Sequence, residues 1–562
     1  MKQEVQDIVR AGYEAWLRDQ APENRNGEVV VAVETPPGNV PGDLACSLPM
    51  VVAKKLKRAP RDVAQGILAK LPQGLVERAE IAGPGFLNLY LSGPWLTGEL
   101  SSILNRRDRY AERASARAER VLIEFVSANP NGPLHVGHGR GAALGDSLAR
   151  IFRLLGYRVE TEYYINNMGN QMENLGASVM SRCVESDPSY LSAGEKAALA
   201  GKAPEDLYKG DYIKDVALAV MKEFPDPAAR PQGLAFFREQ GIRRILEMIR
   251  SDLERFDVKH DNWFPESELH DQGAVDQTLA KLRRNGYLRD EDGALWFAST
   301  QFGDDKDRVI KRKDERPTYF ASDIAYHDRK FERGYDRLVD IWGTDHHGYV
   351  ARVKAAMQAL GRDPGALTIL LYQLVSLVRA GKPVAMSTRS GEFITLTEVI
   401  DEVGKDGCRF WFAMRSPNSH LEFDLDLAKK QAPENPVFYV QYCFARCCSL
   451  FREAAKRGLP ADEAALKGFK APAALDPHER SLLFKLASFP DVVEQCKNDL
   501  SPHHLTAFLQ SLAAEYHRFY ENCRVLGDPG DVTTFRLALV DGVRTVIRSG
   551  LSLLGVSAPE VM

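Results

Sequence analysis

The sequence predicts a multidomain α/β protein built around a doubly wound parallel sheet. A short apolar strand, VLIEFV, begins at Val121; a Gly-rich turn, the amphipathic run GAALGDSLARIFRLLGY and a second strand, YRVETEYYIN, follow it. Strand, helix and strand in this order open a Rossmann-type sheet, whose ligands bind at the carboxyl ends of strands and at helix N-termini. The chain of 562 residues is also too long for one hydrophobic core, because a domain holds roughly 150 residues.

The Rossmann-type unit is predicted to lie between two smaller domains. Residues 1–112 combine a helical pattern with the short runs EVVVAVETPP and GPGFLNLYLSG, which indicates an N-terminal α+β domain. Residues 113–428 form the sheet unit, in which strand signals are weak from about 172 to 290 and return at DRLVDIWG and ALTILLYQLV. The charged, helical segment 172–290 is therefore predicted to be an insertion. Residues 429–562 show helical periodicity almost throughout, which predicts an all-α domain.

Composition predicts a soluble, cytoplasmic protein. Apolar residues make up 44% of the chain and charged residues 27%, and no apolar run reaches the roughly 18 residues of a membrane span. The first helical segment alternates acids and bases, unlike a signal or transit peptide. The net charge of −4 means that any contact with nucleic acid is local. The clearest basic stretch, from Arg106 to Arg120, is equally well explained as a solvated linker helix.

No structural metal is predicted. The eight cysteines form no CxxC pair, and Cys443, Cys447 and Cys448 share one predicted helix without a second ligand group nearby. Reduced, packed thiols are expected instead. The pair His346 and His347 is typical of some metal sites, but no third and fourth ligand is evident, so a zinc site is rejected.

The strongest local signal is SANPNGPLHVGHGRG, in which His135 and His138 flank Gly137 at the start of a helix. A glycine here lets a flat base approach the backbone, while the helix N-terminus and two imidazoles face anionic phosphate oxygens. The pattern predicts a nucleotide site, and two histidines packed in a core turn are the alternative.

This segment resembles the HIGH signature of class I aminoacyl-tRNA synthetases, and EFVSANPNGPLHVGHGRGAALGD is similar to the arginyl branch. TYFASDIAYH, IWGTDHHGY and PVAMSTRSG follow in the family's order, and NPVFYVQY, FYENCRVL and LGVSAPEVM resemble its anticodon-binding domain. The resemblance implies a ligase that activates L-arginine with ATP and transfers it from arginyl-adenylate to the 3′-terminal adenosine of tRNA(Arg), releasing AMP and pyrophosphate. It also implies that Mg²⁺ enters with ATP and that the enzyme is a monomer.

Arginine recognition calls for carboxylates and aromatic rings, because a guanidinium presents planar, paired donors. Glu124 lies in the strand before the HVGH loop, and Tyr319 and Asp323 are four residues apart on one face of a predicted helix. The resemblance implies that these three residues hold the arginine side chain, that Asn129 holds its backbone end, and that His347 lines the pocket. The alternatives are a helix cap for Asp323 and a surface ion pair for Glu124.

The segment GTDHHGY supplies further candidates for ATP, in addition to Gly137. An acid that follows a strand and a glycine can bond a ribose hydroxyl. By similarity to class I enzymes, Gly343, Asp345 and His346 are expected to bind the ribose and adenine.

The loop MSTRSG corresponds by resemblance to the family's KMSKS loop, which makes Met386 and Ser387 catalytic candidates. It departs from the family pattern because Ala385 and Thr388 stand where KMSKS has lysines. Gly132 likewise stands where some family members carry a compensating lysine before the HIGH motif.

The departing pyrophosphate still needs a cation, so Arg389 or Lys382 is predicted to supply it. Arg389 is preferred because it lies inside the loop, whereas Lys382 precedes Pro383 and is expected to be a solvated turn residue.

RNA contacts are expected at aromatic side chains, on which bases of single-stranded loops stack. The resemblance implies that Phe86 and Asn88 contact a D-loop base, and that the anticodon loop contacts Tyr439, Tyr442, Tyr520 and Met562. Ordinary core packing is the alternative for each aromatic residue. For the whole chain, the rival functions are another class I synthetase or a nucleotidylyltransferase, and a synthetase-like RNA-binding module that has lost activation.

Overall fold

The computed structural model describes residues 1–20, 29–37, 40–113, 118–384, 394–527 and 530–562. The elements of its first unit are α1 (Lys2–Gln20), β1 (Val33–Glu34), β2 (Leu44–Cys46), α2 (Leu48–Leu56), α3 (Pro60–Leu68), β3 (Val76–Ala82), β4 (Phe86–Leu91) and α4 (Gly93–Arg106). The strands form an antiparallel sheet in the order β1-β2-β4-β3. Helix α1 packs on this unit because Val5, Val9, Tyr13 and Trp16 recur on one face at helical spacing.

The second unit contains the central sheet. Its first elements are β5 (Arg120–Phe125), α5 (Val136–Leu154), β6 (Arg158–Ile165), α6 (Asn170–Ser186), α7 (Ala193–Ala200), α8 (Asp211–Glu223), α9 (Leu234–Arg255), β7 (Asn262–Pro265), α10 (Glu266–Asp271), α11 (Ala274–Arg284), β8 (Leu288–Glu291), β9 (Ala294–Phe297) and β10 (Arg308–Lys311). They are followed by α12 (Tyr319–Glu332), β11 (Arg337–Gly343), α13 (Val350–Ala359), β12 (Leu367–Tyr372), β13 (Val375–Arg379), β14 (Lys382–Pro383), α14 (Leu396–Val403), α15 (Lys405–Ala413), β15 (Leu421–Asp424) and α16 (Leu425–Lys429).

The central sheet has the strand order β12-β11-β5-β6-β7, and every neighbouring pair runs parallel. The chain passes outward from β5 to β6 and β7 on one side, and later adds β11 and β12 on the other. The strand order therefore reverses between β5 and β11, which is the point where ligands bind in such sheets.

Both faces of the central sheet are covered by helices, which explains the apolar runs of β5 and β12. Val121, Ile123 and Phe125 of β5 belong to the core that contains α5, whereas Leu122 packs in the core that contains α12. Because side chains alternate along a strand, Glu124 lies on the α12 face with Leu122. The predicted doubly wound α/β fold is thus confirmed, with the predicted strands at β5, β6, β11 and β12.

The segment 172–290, predicted to be an insertion, contains one strand of the central sheet. Strand β7 pairs in parallel with β6 from Asn262 to Pro265, where the sequence analysis expected no sheet strand. It has only four residues, Asn-Trp-Phe-Pro, which is too short a run to be recognised as a strand. The boundaries of the insertion and of the domains stay a prediction.

The third unit is helical and shares one apolar core with the first unit. Its elements are α17 (Pro436–Lys456), α18 (Glu463–Lys467), α19 (Pro477–Ala487), α20 (Phe489–Asn498), α21 (His503–Asn522) and α22 (Asp531–Leu553). Helix α4 packs against α19 and α22 so closely that a Cβ at Gly542 would come within 2.8 Å of Leu100. Arg480 also donates a 2.6 Å hydrogen bond to Asp43. None of the described helices is long and apolar enough to cross a membrane.

Candidate active site

A cavity of about 650 Å³ lies at the carboxyl ends of β5 and β11, where the strand order reverses. It brings together most residues that the sequence analysis singled out for arginine and ATP: Glu124, Asn129, His135, Gly137, His138, Tyr319, Asp323, Gly343, Asp345 and His346. It also contains residues that the sequence analysis missed, among them Tyr164, Glu266, Tyr326, His327, Trp342 and Tyr349.

His135 and His138 cap helix α5 with their side chains. Nδ1 of His135 accepts a hydrogen bond from the backbone N–H of Gly137 at 3.1 Å. Nδ1 of His138 accepts one from the backbone N–H of His135 at 3.3 Å. Because each Nδ1 is an acceptor, the proton of each neutral imidazole lies on Nε2, which makes Nε2 a donor.

Both imidazoles are neutral at physiological pH. Burial lowers the pKa of His138 to about 3, and His135 contributes to the lowering. Burial also lowers the pKa of His135. Gly137 is needed because a Cβ there would come within 2.9 Å of the His135 ring. This loop therefore offers an anion neutral N–H donors and the positive end of a long helix, rather than charged imidazoles.

Two of the predicted arginine ligands approach the cavity from different elements. Glu124 lies near the end of β5, and Asp323 lies one turn after Tyr319 on α12. The hydroxyl of Tyr349 donates a 2.5 Å hydrogen bond to Asp323. Burial raises the pKa of Asp323, and this hydrogen bond opposes the rise. Thr318 is the N-cap of α12, so Asp323 is not a helix cap.

Glu266 adds a third carboxyl group to the cavity. It is the first residue of α10, its exposed fraction is 3%, and its Oε2 has no hydrogen-bond partner among the described residues. Burial raises the pKa of Glu266 to about 7, and the nearby Asp323 contributes to the rise. The only sequence signal for this residue is its place directly after β7, which the sequence analysis did not recognise.

Three buried carboxylates lie side by side beneath the cavity. In the register of the parallel sheet, Glu162 of β6 is the partner of Glu124 of β5, and Glu124 is the partner of Asp340 of β11. Register partners project to the same face, here the face covered by α12. We call Glu162, Glu124 and Asp340 the carboxylate row. Charges of one sign this close need compensation to stay ionised.

Two cations compensate the carboxylate row: Lys330 of α12 and Arg333, the residue that follows α12 as its C-cap. Lys330 is fully buried, and its ammonium donates to Glu124 and, at 2.7 Å, to Asp340. Arg333 donates to both oxygens of Glu162, at 2.6 and 2.8 Å. Glu124 therefore pairs with a buried lysine rather than with a surface arginine. The sequence analysis recognised only Glu124 of these five residues.

The turn after β5 forms part of the cavity wall. Val126 and Ser127 have φ angles of +71° and +40°, a region that β-branched residues rarely adopt. The Ser127 hydroxyl donates to Glu124 at 2.9 Å and accepts from the backbone N–H of Tyr164 at 3.1 Å. These contacts stabilise a strained turn, and Asn129 follows it on the cavity wall.

The candidates for ribose and adenine lie at and directly after the end of β11. Gly343 ends β11, and Asp345 and His346 follow it in a short 3-10 helix, where both side chains are largely exposed. His346 Nε2 lies 3.4 Å from an Asp345 carboxylate oxygen. His347 was expected to line the pocket. It is exposed and lies outside the cavity wall, and Tyr349, two residues later, occupies the wall instead.

The catalytic candidates of the MSTRSG loop lie outside the described residues: Met386, Ser387 and Arg389. Lys382 is exposed in β14, directly after a tight turn in which Ala380 and Gly381 have positive φ angles. Gly132 faces Tyr212, whose oxygen would lie 3.1 Å from a Cβ at that position.

The RNA candidates lie in the first and third units. Phe86 and Asn88 line a cavity of about 400 Å³, and Phe86 has an exposed fraction of 38% whereas Asn88 has 2%. Tyr439 and Tyr442 both contact His517, with ring centroids 5.4 and 6.2 Å apart. The exposed fraction is 41% for Tyr442 and 51% for Met562, whereas Tyr439 and Tyr520 are partly buried.

All eight cysteines are buried thiols. Within the described ranges, no group of three or more His, Cys, Asp or Glu side chains is arranged to hold a metal ion.

Family models describe each of the three units. The model of the arginyl-tRNA synthetase N-terminal domain matches residues 2–91, that of the class I (R) tRNA synthetase catalytic domain matches residues 99–410, and that of the DALR anticodon-binding domain matches residues 440–562. An arginine–tRNA ligase of Syntrophotalea carbinolica is 44% identical over 572 residues, which cover 100% of both chains. The chain belongs to the arginyl-tRNA synthetases.

Other similar proteins agree with this membership. The arginine–tRNA ligase of Moorella thermoacetica is 46% identical over 542 residues, covering 94% of this chain and 93% of the relative. The solved arginyl-tRNA synthetase of Thermus thermophilus has the same fold, with a TM-score of 0.76 at 23% identity over 100% of both chains. As an arginyl-tRNA synthetase, the protein activates arginine with ATP and charges tRNA. Membership decides against another class I synthetase and against a nucleotidylyltransferase.

Proposed function

We propose that the 650 Å³ cavity holds arginine and ATP side by side, with the α-phosphate of ATP next to the arginine carboxylate. The observation that carries this proposal is the meeting of two complementary sites at one switch point: carboxyl groups on one side, and the N-terminus of α5 with two N–H donors on the other. A guanidinium suits the first and polyphosphate the second.

At the arginine end, Asp323 and Glu124 accept hydrogen bonds from the guanidinium, and Tyr319 covers it. Asn129 binds the backbone end of the substrate. Tyr319 has an exposed fraction of 50%, which leaves its ring available to a ligand that enters above Asp323. A planar, charged donor between these groups binds more tightly than a neutral or a point-charge side chain, because paired hydrogen bonds to carboxylates are strong and directional.

At the ATP end, His135 and His138 donate from Nε2 to phosphate oxygens, and Gly343, Asp345 and His346 bind the ribose and adenine. The arginine carboxylate then attacks the α-phosphate in line, forming arginyl-adenylate and releasing pyrophosphate, so no protein nucleophile is needed. The adenylate transfers arginine to the terminal adenosine of tRNA(Arg) and leaves AMP. Mg²⁺ comes with ATP and neutralises phosphate charge, since it binds phosphate oxygens in preference to protein cages.

Outside the cavity, we propose tRNA contacts at both ends of the chain. Residues 1–112 use Phe86 and Asn88 for a base of the D loop, and residues 429–562 use Tyr439, Tyr442, Tyr520 and Met562 for the anticodon loop. Residues 113–428 are the catalytic domain. The exposed rings and the cavity beneath Phe86 support this division, because unstacked bases bind on aromatic faces. On the family resemblance we also propose a cytoplasmic monomer.

The test is ATP–pyrophosphate exchange with each amino acid in turn, with and without tRNA(Arg). Exchange with arginine alone among the amino acids is expected. Exchange with a different amino acid would contradict the assignment of the carboxyl groups to a guanidinium, and absence of exchange under both conditions would contradict the proposal that this cavity holds arginine and ATP side by side. Sedimentation of the purified chain tests the monomer.

A further inference from the structure

We propose that Lys330 is a positioning residue for arginine selection, which acts by holding Glu124 ionised and fixed at the cavity wall. This inference rests on the proposed assignment of Glu124 and Asp323 as arginine ligands. Lys330 itself is not on the cavity wall, so it acts through Glu124 and not by touching the substrate.

The carboxylate row has more buried negative charges than cations to compensate them. The carboxylate row carries three carboxylates with exposed fractions of 0 to 5%: Glu162, Glu124 and Asp340. Arg333 serves Glu162 with two hydrogen bonds. The other two carboxylates share the single ammonium of Lys330. Without that ammonium, two adjacent buried carboxylates would face each other, and one would take up a proton.

Loss of the Lys330 charge would affect the protonation of Glu124 more than that of Asp340. Burial raises the pKa of Glu124, and the Lys330 ammonium opposes the rise. Burial acts in the same direction on Asp340, but Lys330 and His327 hold the pKa of Asp340 below its usual range. Asp340 thus has a second partner in His327, whose Nε2 lies 2.9 Å away. Among the described residues, Glu124 has hydrogen bonds only from Ser127 and Lys330, so we expect loss of Lys330 to neutralise Glu124.

Hydrogen bonds to both oxygens fix the orientation of the Glu124 carboxylate. One oxygen of Glu124 accepts from Ser127 at 2.9 Å and the other accepts from Lys330, so the carboxylate cannot rotate. Each carboxylate oxygen has a second lone pair, and that pair remains for a guanidinium N–H. A fixed acceptor selects a planar, forked donor better than a freely rotating one, because no rotational freedom is lost on binding.

The decisive variant is Lys330→Met, which keeps the length of the side chain and removes its charge. We expect the KM for arginine to rise by about 10-fold or more, which corresponds to about 1.4 kcal/mol or more, because a hydrogen bond to a charged acceptor is lost. The KM for ATP and the Kd for tRNA should change less than about twofold, because neither site uses Glu124.

Arg333→Met is the matched control. It removes the other cation that compensates the carboxylate row, but its partner Glu162 is not on the cavity wall. We expect it to lower the melting temperature and to leave the KM for arginine unchanged. An equal rise of this KM in both variants, or a joint rise of the KM values for arginine and ATP in Lys330→Met, would overturn the proposal in favour of a purely structural ion pair.

A second variant covers the case in which Lys330→Met does not fold. The double variant Lys330→Met with Asp340→Asn removes one charge of each sign, and its folding is followed by circular dichroism and thermal unfolding. Because Glu124 still lacks its cation, we expect the KM for arginine to stay raised. A folded double variant with a normal KM would show that Lys330 only neutralises Asp340, which overturns the proposal.

Asp323→Asn separates this inference from the proposed function. If Asp323→Asn raises the KM for arginine and Lys330→Met does not, the role of Lys330 is wrong and the site assignment stands. If neither variant changes this KM, the cavity is not the arginine site.

Discussion

The imidazole rings of His135 and His138 stack with centroids 3.7 Å apart and planes 21° apart. Nδ1 of each ring accepts a hydrogen bond from a backbone N–H at the N-terminus of α5. The pair is therefore a rigid source of two N–H donors, held by the same helix whose N-terminus attracts phosphate.

His138→Ala should abolish adenylate formation and leave tRNA binding nearly unchanged, because Nε2 is proposed to act on phosphate and not on RNA. Loss of one such donor costs on the order of 10² to 10³ in kcat. Pyrophosphate exchange and a tRNA filter-binding assay measure the two effects. Equal loss of both would mean that His138 serves only to cap α5, and Leu218→Ala on the exposed face of α8 controls for a general effect of substitution.

Asp323→Asn should raise the KM for arginine by about 10- to 100-fold, because it removes the charge that faces the guanidinium. The KM for ATP should change by less than about twofold. Tyr349→Phe, which removes only the hydrogen bond to Asp323, should have a smaller effect in the same direction. An unchanged KM for arginine in Asp323→Asn would remove this residue from the site.

Arginine binding should strengthen as the pH rises through about 7. Glu266 has a pKa of about 7 because it is buried, so it is mostly protonated at pH 6 and mostly ionised at pH 8. A guanidinium in the same cavity attracts the ionised form. The KM for arginine, measured from pH 6 to 8.5, should fall across this range, and Glu266→Gln should flatten the profile.

The contribution of Glu266 to the stability of the free enzyme should decrease as the pH rises. The folded-state pKa of Glu266 lies above its usual value of 4.5, so the folded chain binds the proton more tightly than the unfolded chain. The contribution of Glu266 to stability is therefore lost as the pH rises from 4.5 to about 7. Glu266→Gln should be more resistant to urea than the original protein at pH 8, and an identical urea midpoint would contradict the raised pKa.

Arg389→Ala should lower kcat and kcat/KM together and leave the Kd for ATP little changed, if its contact with pyrophosphate forms only in the transition state. The expected loss in kcat is on the order of 10² to 10³. Lys382→Ala is the matched control. Full activity of Arg389→Ala with loss in Lys382→Ala would reverse the assignment, and activity of both would leave the MSTRSG loop without its proposed role.

Tyr442→Ala should weaken the binding of tRNA(Arg) by about 1 to 3 kcal/mol, the worth of one base stacked on an aromatic ring. Pyrophosphate exchange at saturating tRNA should be little affected. Val532→Ala is a suitable control, since Val532 is about equally exposed on the same helical domain. If the two variants bind tRNA with equal affinity, Tyr442 is not part of the anticodon site.

Sequence reasoning was sufficient to predict the main strands of the central sheet and the start of α5. Apolar runs located β5, β6, β11 and β12, and the HVGH pattern located the start of α5. It missed Lys330, because a lysine on an amphipathic helix normally reaches solvent, and only the tertiary register shows that this one meets two buried acids. It missed Glu266 because β7 is too short to leave a pattern. It placed His347 on the cavity wall, where the structure has Tyr349. The residues after β11 form a 3-10 helix, and spacing along the sequence does not show which side chain of such a helix faces the cavity.

The common core of the first and third units has a consequence for the choice of RNA. Helices α4, α19 and α22 meet at Gly542, so the surface beneath Phe86 and the surface around Tyr442 cannot move apart without exposing apolar area. The shared core therefore keeps the distance between the two surfaces constant. On the contacts proposed for Phe86 and Tyr442, a single base pair inserted in the anticodon stem is expected to weaken the binding of an RNA whose contact nucleotides are all correct.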